Sequence, residues 1–389
     1  MRKLSYLFKC IIIQFMNLFI KTDKNFWLFS SSFNTQFNYN SRYLFEYMLK
    51  NNSNIKCRFV INDRVKRDEL TSIYGDFFIE TNSLSGMLEA LKAGIWFTSA
   101  GLPVYILSSK KNRDVVNLWH GVPLKKIGLL ENNFNKLKRT YFRRVFSNNY
   151  SIIITTSEKL VDLMARSFGV PAEKIKVLGQ PRNDLLTQTI NEAWVKNNIP
   201  NIQESNKLLL YAPTYREFKK TKLFPFRDFN IKSLNEFLEE EKIIIFIRLH
   251  QSEVDVSLFE ELQKSNRIKF INEDIVEDIM GILNLFDLLI TDYSSIYIDH
   301  LIIEKPQLFI PYDLEEYIEK RGLNFDYNKY TPGPKVREFE DFKGEIKYLL
   351  NDAEYYKNER ISLNNYFNKV RSNSCEKIVK YVKENLWEK

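Results

Sequence analysis

The chain has 389 residues, 44% hydrophobic and 27% charged, which is too long for one ordinary core, suits two domains and excludes a disordered chain. Cys10, Cys57 and Cys375 are widely separated and form no CxxC pair, so a disulfide framework and a thiolate zinc site are excluded and a reducing compartment fits. The net charge of +8 suits an anionic partner: nucleic acid, a phosphorylated substrate or an acidic membrane surface.

The first predicted element spans residues 1–24. On a helical wheel Leu4, Leu7, Phe8, Ile11, Ile12, Phe15, Leu18 and Phe19 share one face, while Lys9, Gln14 and Asn17 fall away from it. No small-residue cleavage site follows, and a run interrupted by Lys9 is short for a span. The expectation is a helix lying in the membrane interface; a helix packed on the protein and a true span stay open.

Further along, short β-type runs alternate with helical stretches. The runs are Phe26–Ser30, Cys57–Ile61, Ile95–Thr98, Val115–Trp119, Ile152–Thr155, Ile175–Leu178, Lys207–Tyr211, Ile243–Arg248, Ile268–Ile271, Leu288–Thr291 and Gln307–Ile310. Helical patterns include Arg42–Lys50, Glu158–Phe168, Leu234–Glu241 and Ile275–Leu285. The alternation predicts an α/β chain with parallel sheets. The polar stretch "NNIPNIQESN" around Asn197 divides it into two comparable halves, residues 25–200 and 201–389, expected to be Rossmann-like doubly wound domains facing across a cleft.

In the first half, Val115–Trp119 runs into His120 and then Gly121, Val122 and Pro123. The imidazole therefore falls where a strand ends and a loop begins, the rim at which open α/β sheets bind ligands. A basic segment follows: from Ser108 to Phe146 there are ten Lys or Arg against Asp114 and Glu131. Within "NNFNKLKRTYFRRVF", Lys136, Lys138, Arg139, Arg143 and Arg144 interleave with aromatic residues, as in a helix lying on anionic lipid. A nucleic-acid surface ranks below this, because the chain shows no nucleic-acid motif, and a solvated basic helix is the plain alternative.

In the second half, Leu288–Thr291 meets Asp292, Tyr293, Ser294 and Ser295, after which Ile296, Ile298, Leu301 and Ile302 recur at helical spacing. Ser294 or Ser295 would cap a helix whose free N–H groups suit a phosphate, with Asp299 one turn on as an acceptor for a ribose; the plain reading is a cap and a solvated carboxylate. Two further predicted strands end at Thr214, Tyr215 and Arg216 and at Arg248 and His250, groups that can clamp a diphosphate. His300 has no partner motif and is assigned to helix packing or surface. There is no DxD pair, no zinc spacing and no GxxxxGK[ST] loop.

The motifs "NLWHGVPLKKIG", "GQPRND", "YAPTYRE", "RLHQ", "LLITDYSSIYID" and "YDLEEYIEKRGLNFDYNKYTPGP", in that order, with weaker support from "FNYNSRYLFEYML", resemble the CDP-glycerol glycerophosphotransferase family of teichoic acid primases and polymerases and related capsule enzymes. The resemblance implies a GT-B type fold. It also implies transfer of a polyol phosphate from a CDP-activated donor to a hydroxyl of an undecaprenyl-linked saccharide or growing polymer, with release of CMP, by a peripheral protein on the cytoplasmic face of the membrane. It makes His120 the general base and His250 a stabiliser of diphosphate charge with Arg216, Ser294 and Ser295. Asp292 would orient that loop and Asp299 would meet the cytidine ribose. No cofactor is required, magnesium is left open as an assistant, and nucleic acid is not an expected partner. Gln180, Tyr215 and Glu217 depart from the family pattern where an aromatic, a tryptophan and an aspartate are usual. A GT-B glycosyltransferase using a nucleotide sugar and a non-catalytic membrane-bound component of a polymer-assembly complex remain as alternatives.

Overall fold

The computed structural model describes residues 12–52, 54–107, 113–188, 206–216, 218–249, 256–272 and 275–387. Residues 1–11, Lys110, Lys111, the greater part of the expected linker, Glu217 and His250 lie outside them. The chain divides into two compact units: Met1–Val122 with Lys126–Asp184 and Lys369–Lys389, and Pro123–Lys125 with Leu185–Asn368.

In the first unit, Asp23–Ser30 (β1), Lys56–Val60 (β2), Phe78–Ile79 (β3), Ala93–Thr98 (β4), Asp114–Asn117 (β5), Ile152–Thr155 (β6) and Ile175–Val177 (β7) form a seven-stranded sheet ordered β3-β2-β1-β4-β5-β6-β7. Every pairing is parallel, with Trp27 opposite Cys57 on one side and Ile95 on the other. Such strands are covered on both faces, which is why β1 and β4 are apolar runs rather than alternating ones. Trp27, Leu28, Phe29, Ile95, Trp96 and Phe97 are wholly buried. Local chemistry starts and stops the covering helices: Asp63 accepts from Lys66 N ahead of Arg64–Tyr74, and Ser83 from Gly86 N ahead of Leu84–Lys92. Val161–Phe168 ends at Gly169 in the left-handed conformation, φ 62°.

The second unit holds Lys207–Ala212 (β8), Ile243–Ile247 (β9), Ile268–Phe270 (β10), Leu288–Thr291 (β11) and Gln307–Phe309 (β12), ordered β10-β9-β8-β11-β12 and again parallel. In a doubly wound sheet the strand order reverses at one place, and loops leaving the carboxyl ends there diverge to open a ligand crevice. That switch point lies between β1 and β4 in the first sheet and between β8 and β11 in the second.

Three features differ from the expectation. Residues 275–285, read as a helix, form two 3-10 turns, Ile279–Gly281 and Leu283–Leu285, because Asp278 caps Met280 N and Gly281 and Asn284 weaken any longer ladder. The two-residue β3 is too short to register as a periodic pattern. The C-terminal helix Ser374–Val382 belongs with the first unit, where Asp184 accepts from Ser374 N at 2.8 Å and Cys375 N at 2.9 Å. Gly179 makes that approach feasible: its φ is +86° and an added Cβ would lie 2.3 Å from Ser374 Oγ.

Candidate active site

His120 follows β5 at the carboxyl edge of the first sheet, one strand from the switch point. Its Nδ1 lies 2.8 Å from the carbonyl oxygen of Ser99, which follows β4. A carbonyl only accepts, so Nδ1 carries the proton and Nε2 keeps its lone pair. The ring stacks on Tyr39 at 4.7 Å and against Trp119 at 4.0 Å, leaving only part of its surface open. Burial pushes the imidazole from 6.5 down to about 4; the Ser99 hydrogen bond opposes this and the Arg182 charge adds to it. The result is a neutral, oriented imidazole at neutral pH with one basic nitrogen available.

The turn that holds it is strained and over-determined. Trp119 has φ 50°, a costly conformation for a bulky residue. Its N–H donates to Asn117 Oδ1 at 2.9 Å and its indole packs edge-on against Phe168. The amide of Asn40, wholly buried, donates to the carbonyls of Leu118 at 3.0 Å and Trp119 at 2.9 Å, while its oxygen accepts from Arg182 N at 3.1 Å. Ser41 Oγ meets Ser99 Oγ at 2.8 Å, and Ser99 Oγ also accepts from Ser41 N at 2.9 Å. The first turn of helix Tyr39–Asn51 thus grips both loops that set His120. Asn40→Ala is expected to destabilise the chain by roughly 2–4 kcal/mol in denaturant melts, because three buried backbone groups lose their partner. Asn40→Asp, which keeps the acceptor and loses the donor, should fall between.

At the switch point of the second sheet the centre is Asp292, directly after β11. Its Oδ1 accepts from Thr214 N at 2.8 Å and Tyr293 N at 2.6 Å, and its Oδ2 from Arg216 Nη2 at 2.8 Å. Arg216 also donates through Nε and Nη2 to Asp313, at 2.8 and 2.9 Å, and through Nη1 to Thr214 O at 2.7 Å. Lys219 reaches Asp313 at 2.8 Å and also pairs with Glu316. Burial alone would raise the Asp313 carboxyl, but hydrogen bonds from Arg216 and Lys219 outweigh it and hold the group below its usual value. The Tyr327 hydroxyl donates to Asp292 O at 2.9 Å, closing the loop from the far side.

Residues 12–384 match the sequence profile of the CDP-glycerol:poly(glycerophosphate) glycerophosphotransferase family. The chain belongs to that family. It is 29% identical over 341 residues to the teichoic acid poly(glycerol phosphate) polymerase of Bacillus subtilis strain 168, a match covering 83% of this chain and 43% of that protein. It is 26% identical over 347 residues to the teichoic acid glycerol-phosphate transferase of Staphylococcus aureus strain NCTC 8325 / PS 47, covering 86% of each. The chain thus spans less than half of the first relative and most of the second. A solved variant of the wall teichoic acid polymerase TagF shares the fold, which is GT-B-like, with a TM-score of 0.77 at 23% identity over 99% of this chain and 98% of that one.

Within this family member the expected site residues divide. His120 stands at a strand end with a free lone pair, and Ser294 and Ser295 stand half-buried after β11, where Ser294 Oγ accepts from Ile296 N at 3.4 Å and Ser295 makes no side-chain cap. Arg216, expected to clamp a diphosphate, does not present its guanidinium: the side chain is fully buried and committed to two carboxylates and a carbonyl. Asp299, expected to meet a ribose, is 2% exposed, because the short helix Ile296–His300 buries Tyr297, Ile298 and His300 along with it. His300 is a packing residue, its Nδ1 lying 3.2 Å from Gln307 Nε2. Asn40, Ser41 and Ser99 in the first unit and Asp313 in the second were not singled out from the sequence, although the quoted motifs around Tyr39 and Tyr312 contain three of them.

The basic segment forms helix Lys136–Phe142 and a following turn, Arg143–Ser147. Lys136, Lys138, Arg143 and Arg144 are exposed, as are Leu137 and Tyr141, whereas Arg139 turns back to the carbonyls of Phe134 and Leu129. Residues 12–16 are helical, and the side facing the protein is mixed: Ile13 is fully buried, Gln14 Oε1 accepts from Leu107 N at 2.7 Å, and Asn17 just beyond accepts from Arg113 Nη2 at 2.9 Å. Phe15, Leu18 and Phe19 are left 65%, 66% and 75% exposed. Among the described residues no helix is long and apolar enough to cross a membrane, and no group of three His, Cys, Asp or Glu could hold a metal ion.

Proposed function

We propose that the chain transfers a polyol phosphate, glycerol phosphate foremost, from a CDP-activated donor to a hydroxyl of a lipid-linked saccharide or growing polymer, releasing CMP, in teichoic acid or capsule-type polymer synthesis. The observation that carries this is His120: a neutral imidazole fixed as the Nδ1–H tautomer at the ligand edge of a family chain. Nε2 takes the proton of the acceptor hydroxyl. The oxygen attacks the phosphorus that bears the polyol, and the bond from that phosphorus to the bridging oxygen breaks, so that CMP leaves with the electron pair. His250 and the Ser294–Ser295 loop offset the charge that builds on the diphosphate. Arg216 contributes through Asp292, keeping the two loops of the β8–β11 switch in place without touching the donor.

Donor choice is tested by titration calorimetry with CDP-glycerol, CDP-ribitol and UDP-sugars. Binding of a CDP-polyol in competition with CMP is expected; binding of a UDP-sugar alone would move the assignment to a glycosyltransferase.

The reading also places the protein on an anionic membrane surface. A segment that anchors Gln14 and Asn17 on its own protein and leaves Phe15, Leu18 and Phe19 outward fits an interfacial position, and four exposed cations in the same unit add attraction to acidic lipid. Changing Lys136, Lys138, Arg143 and Arg144 together to glutamate is expected to weaken co-sedimentation with phosphatidylglycerol vesicles by roughly 100-fold or more, at about 1 kcal/mol for each charge. Unchanged co-sedimentation would remove this helix from the membrane contact.

A further inference from the structure

Phe33 lies in the loop after β1, beside the switch point, and it is the most exposed large hydrophobic side chain among the described residues, at 89%. Its backbone is left-handed, φ 54° and ψ 9°, and Asn34 follows at φ 57°. A phenyl group in water contributes nothing to the core, and a left-handed position favours glycine or asparagine. Neither burial nor backbone preference accounts for a phenylalanine here.

The loop is nonetheless held firmly. Ser31 Oγ meets Asn38 Oδ1 at 2.6 Å, and the buried Asn34 amide donates to Leu102 O at 2.9 Å and Pro103 O at 3.1 Å. Asn62 N donates to Asn34 O at 2.6 Å. Strain kept by such anchoring marks a place where a side chain is presented rather than packed. The same anchors lead to His120: Ser99 N donates to Ser30 O at 3.2 Å, and Ser99 O receives the His120 proton. Phe33, Asn34, Tyr39 and Trp119 are four of the nine non-glycine residues with positive φ among those described; three lie in the segments after β1 and β5 and the fourth opens helix Tyr39–Asn51.

Resting on the function proposed above, we infer that Phe33 binds the acceptor, its ring stacking on the apolar face of a sugar in the saccharide that brings the hydroxyl to His120. The neighbours along the loop choose a sugar over an acyl chain. Ser32, Thr35 and Gln36, next to Phe33 in the chain, are polar and partly or fully exposed, which suits a pyranose with one C–H face and a hydroxyl rim. An acyl chain would call for further apolar side chains on that loop.

The test uses the full chain, CDP-glycerol and a disaccharide acceptor on a short, water-soluble prenyl diphosphate, without vesicles or detergent. Phe33→Ala is expected to raise the acceptor KM roughly five- to tenfold, the size of an aromatic contact, with donor KM unchanged and Phe33→Trp restoring it. Phe33→Gly should lose acceptor affinity equally without lowering the thermal midpoint, since glycine relieves the left-handed backbone. An unchanged acceptor KM in Phe33→Ala overturns the inference. So does a drop in midpoint for both the alanine and glycine variants, which makes the residue structural, or a loss confined to vesicle binding, which gives it to the membrane. If the native chain transfers nothing, the functional reading fails separately, and direct titration of the same acceptor into native and Phe33→Ala chains still decides the role of Phe33.

Discussion

His120→Ala is expected to lower kcat by roughly 10²- to 10⁴-fold, the contribution of a positioned general base, while leaving affinity for the CDP donor within a factor of about two. The ring touches the site through Nε2 alone, since Nδ1 is committed to Ser99 O. The native pH profile carries the same information. The base works only when neutral, and burial sets its ionisation at about 4, so kcat/KM should be level from pH 5 to 8 and fall as pH drops through about 4. An inflection near the ordinary 6.5 would mean that the ring is solvated in the working enzyme. Stability shares the sign. The folded ring binds its proton less readily than the unfolded one, so its contribution is complete above about 6.5 and is lost as pH falls toward about 4.

Asp292→Ala is expected to cost roughly 3–5 kcal/mol of stability, because it leaves the buried Arg216 with one carboxylate instead of two and orphans the N–H groups of Thr214 and Tyr293. Guanidinium melts monitored by the second unit's tyrosines measure it. Pairing it with Arg216→Met should recover part of the loss, since the uncompensated charge goes with it. A loss below about 1 kcal/mol would show that the carboxylate adds little to the loops.

The parallel sheets were legible in the sequence because strands buried on both faces are continuous runs of Ile, Leu, Val and Phe, as in Ile243–Ile247 and Leu288–Thr291, and the runs lie close to the strands observed. Residues 275–285 misled because apolar spacing survives in irregular chain; Gly281 and the Asp278 cap decide the backbone there. Among the candidate residues of each unit, those on strand ends were visible: His120 follows a strand in the first unit, and Asp292, Ser294 and Ser295 follow one in the second. What they do there was less so. Whether Arg216 faces a ligand or two aspartates depends on Asp313, 97 positions away. Asn40 meets Trp119 from 79 positions away. Such pairings come from strand order, which local pattern does not encode. The amphipathic wheel of the N-terminal segment separated Gln14 and Asn17 from Phe15, Leu18 and Phe19, but it could not say which side meets the protein.

The most direct measurement is the mass of a lipid-linked disaccharide before and after incubation with the native chain and CDP-glycerol, with CMP quantified in the same tube. The account predicts an acceptor heavier by whole glycerol phosphate units, one CMP released per unit, and both changes slowed roughly 100-fold or more with His120→Ala. An unaltered acceptor with no CMP from either CDP-glycerol or CDP-ribitol, or addition of a sugar from a nucleotide sugar instead, would contradict it.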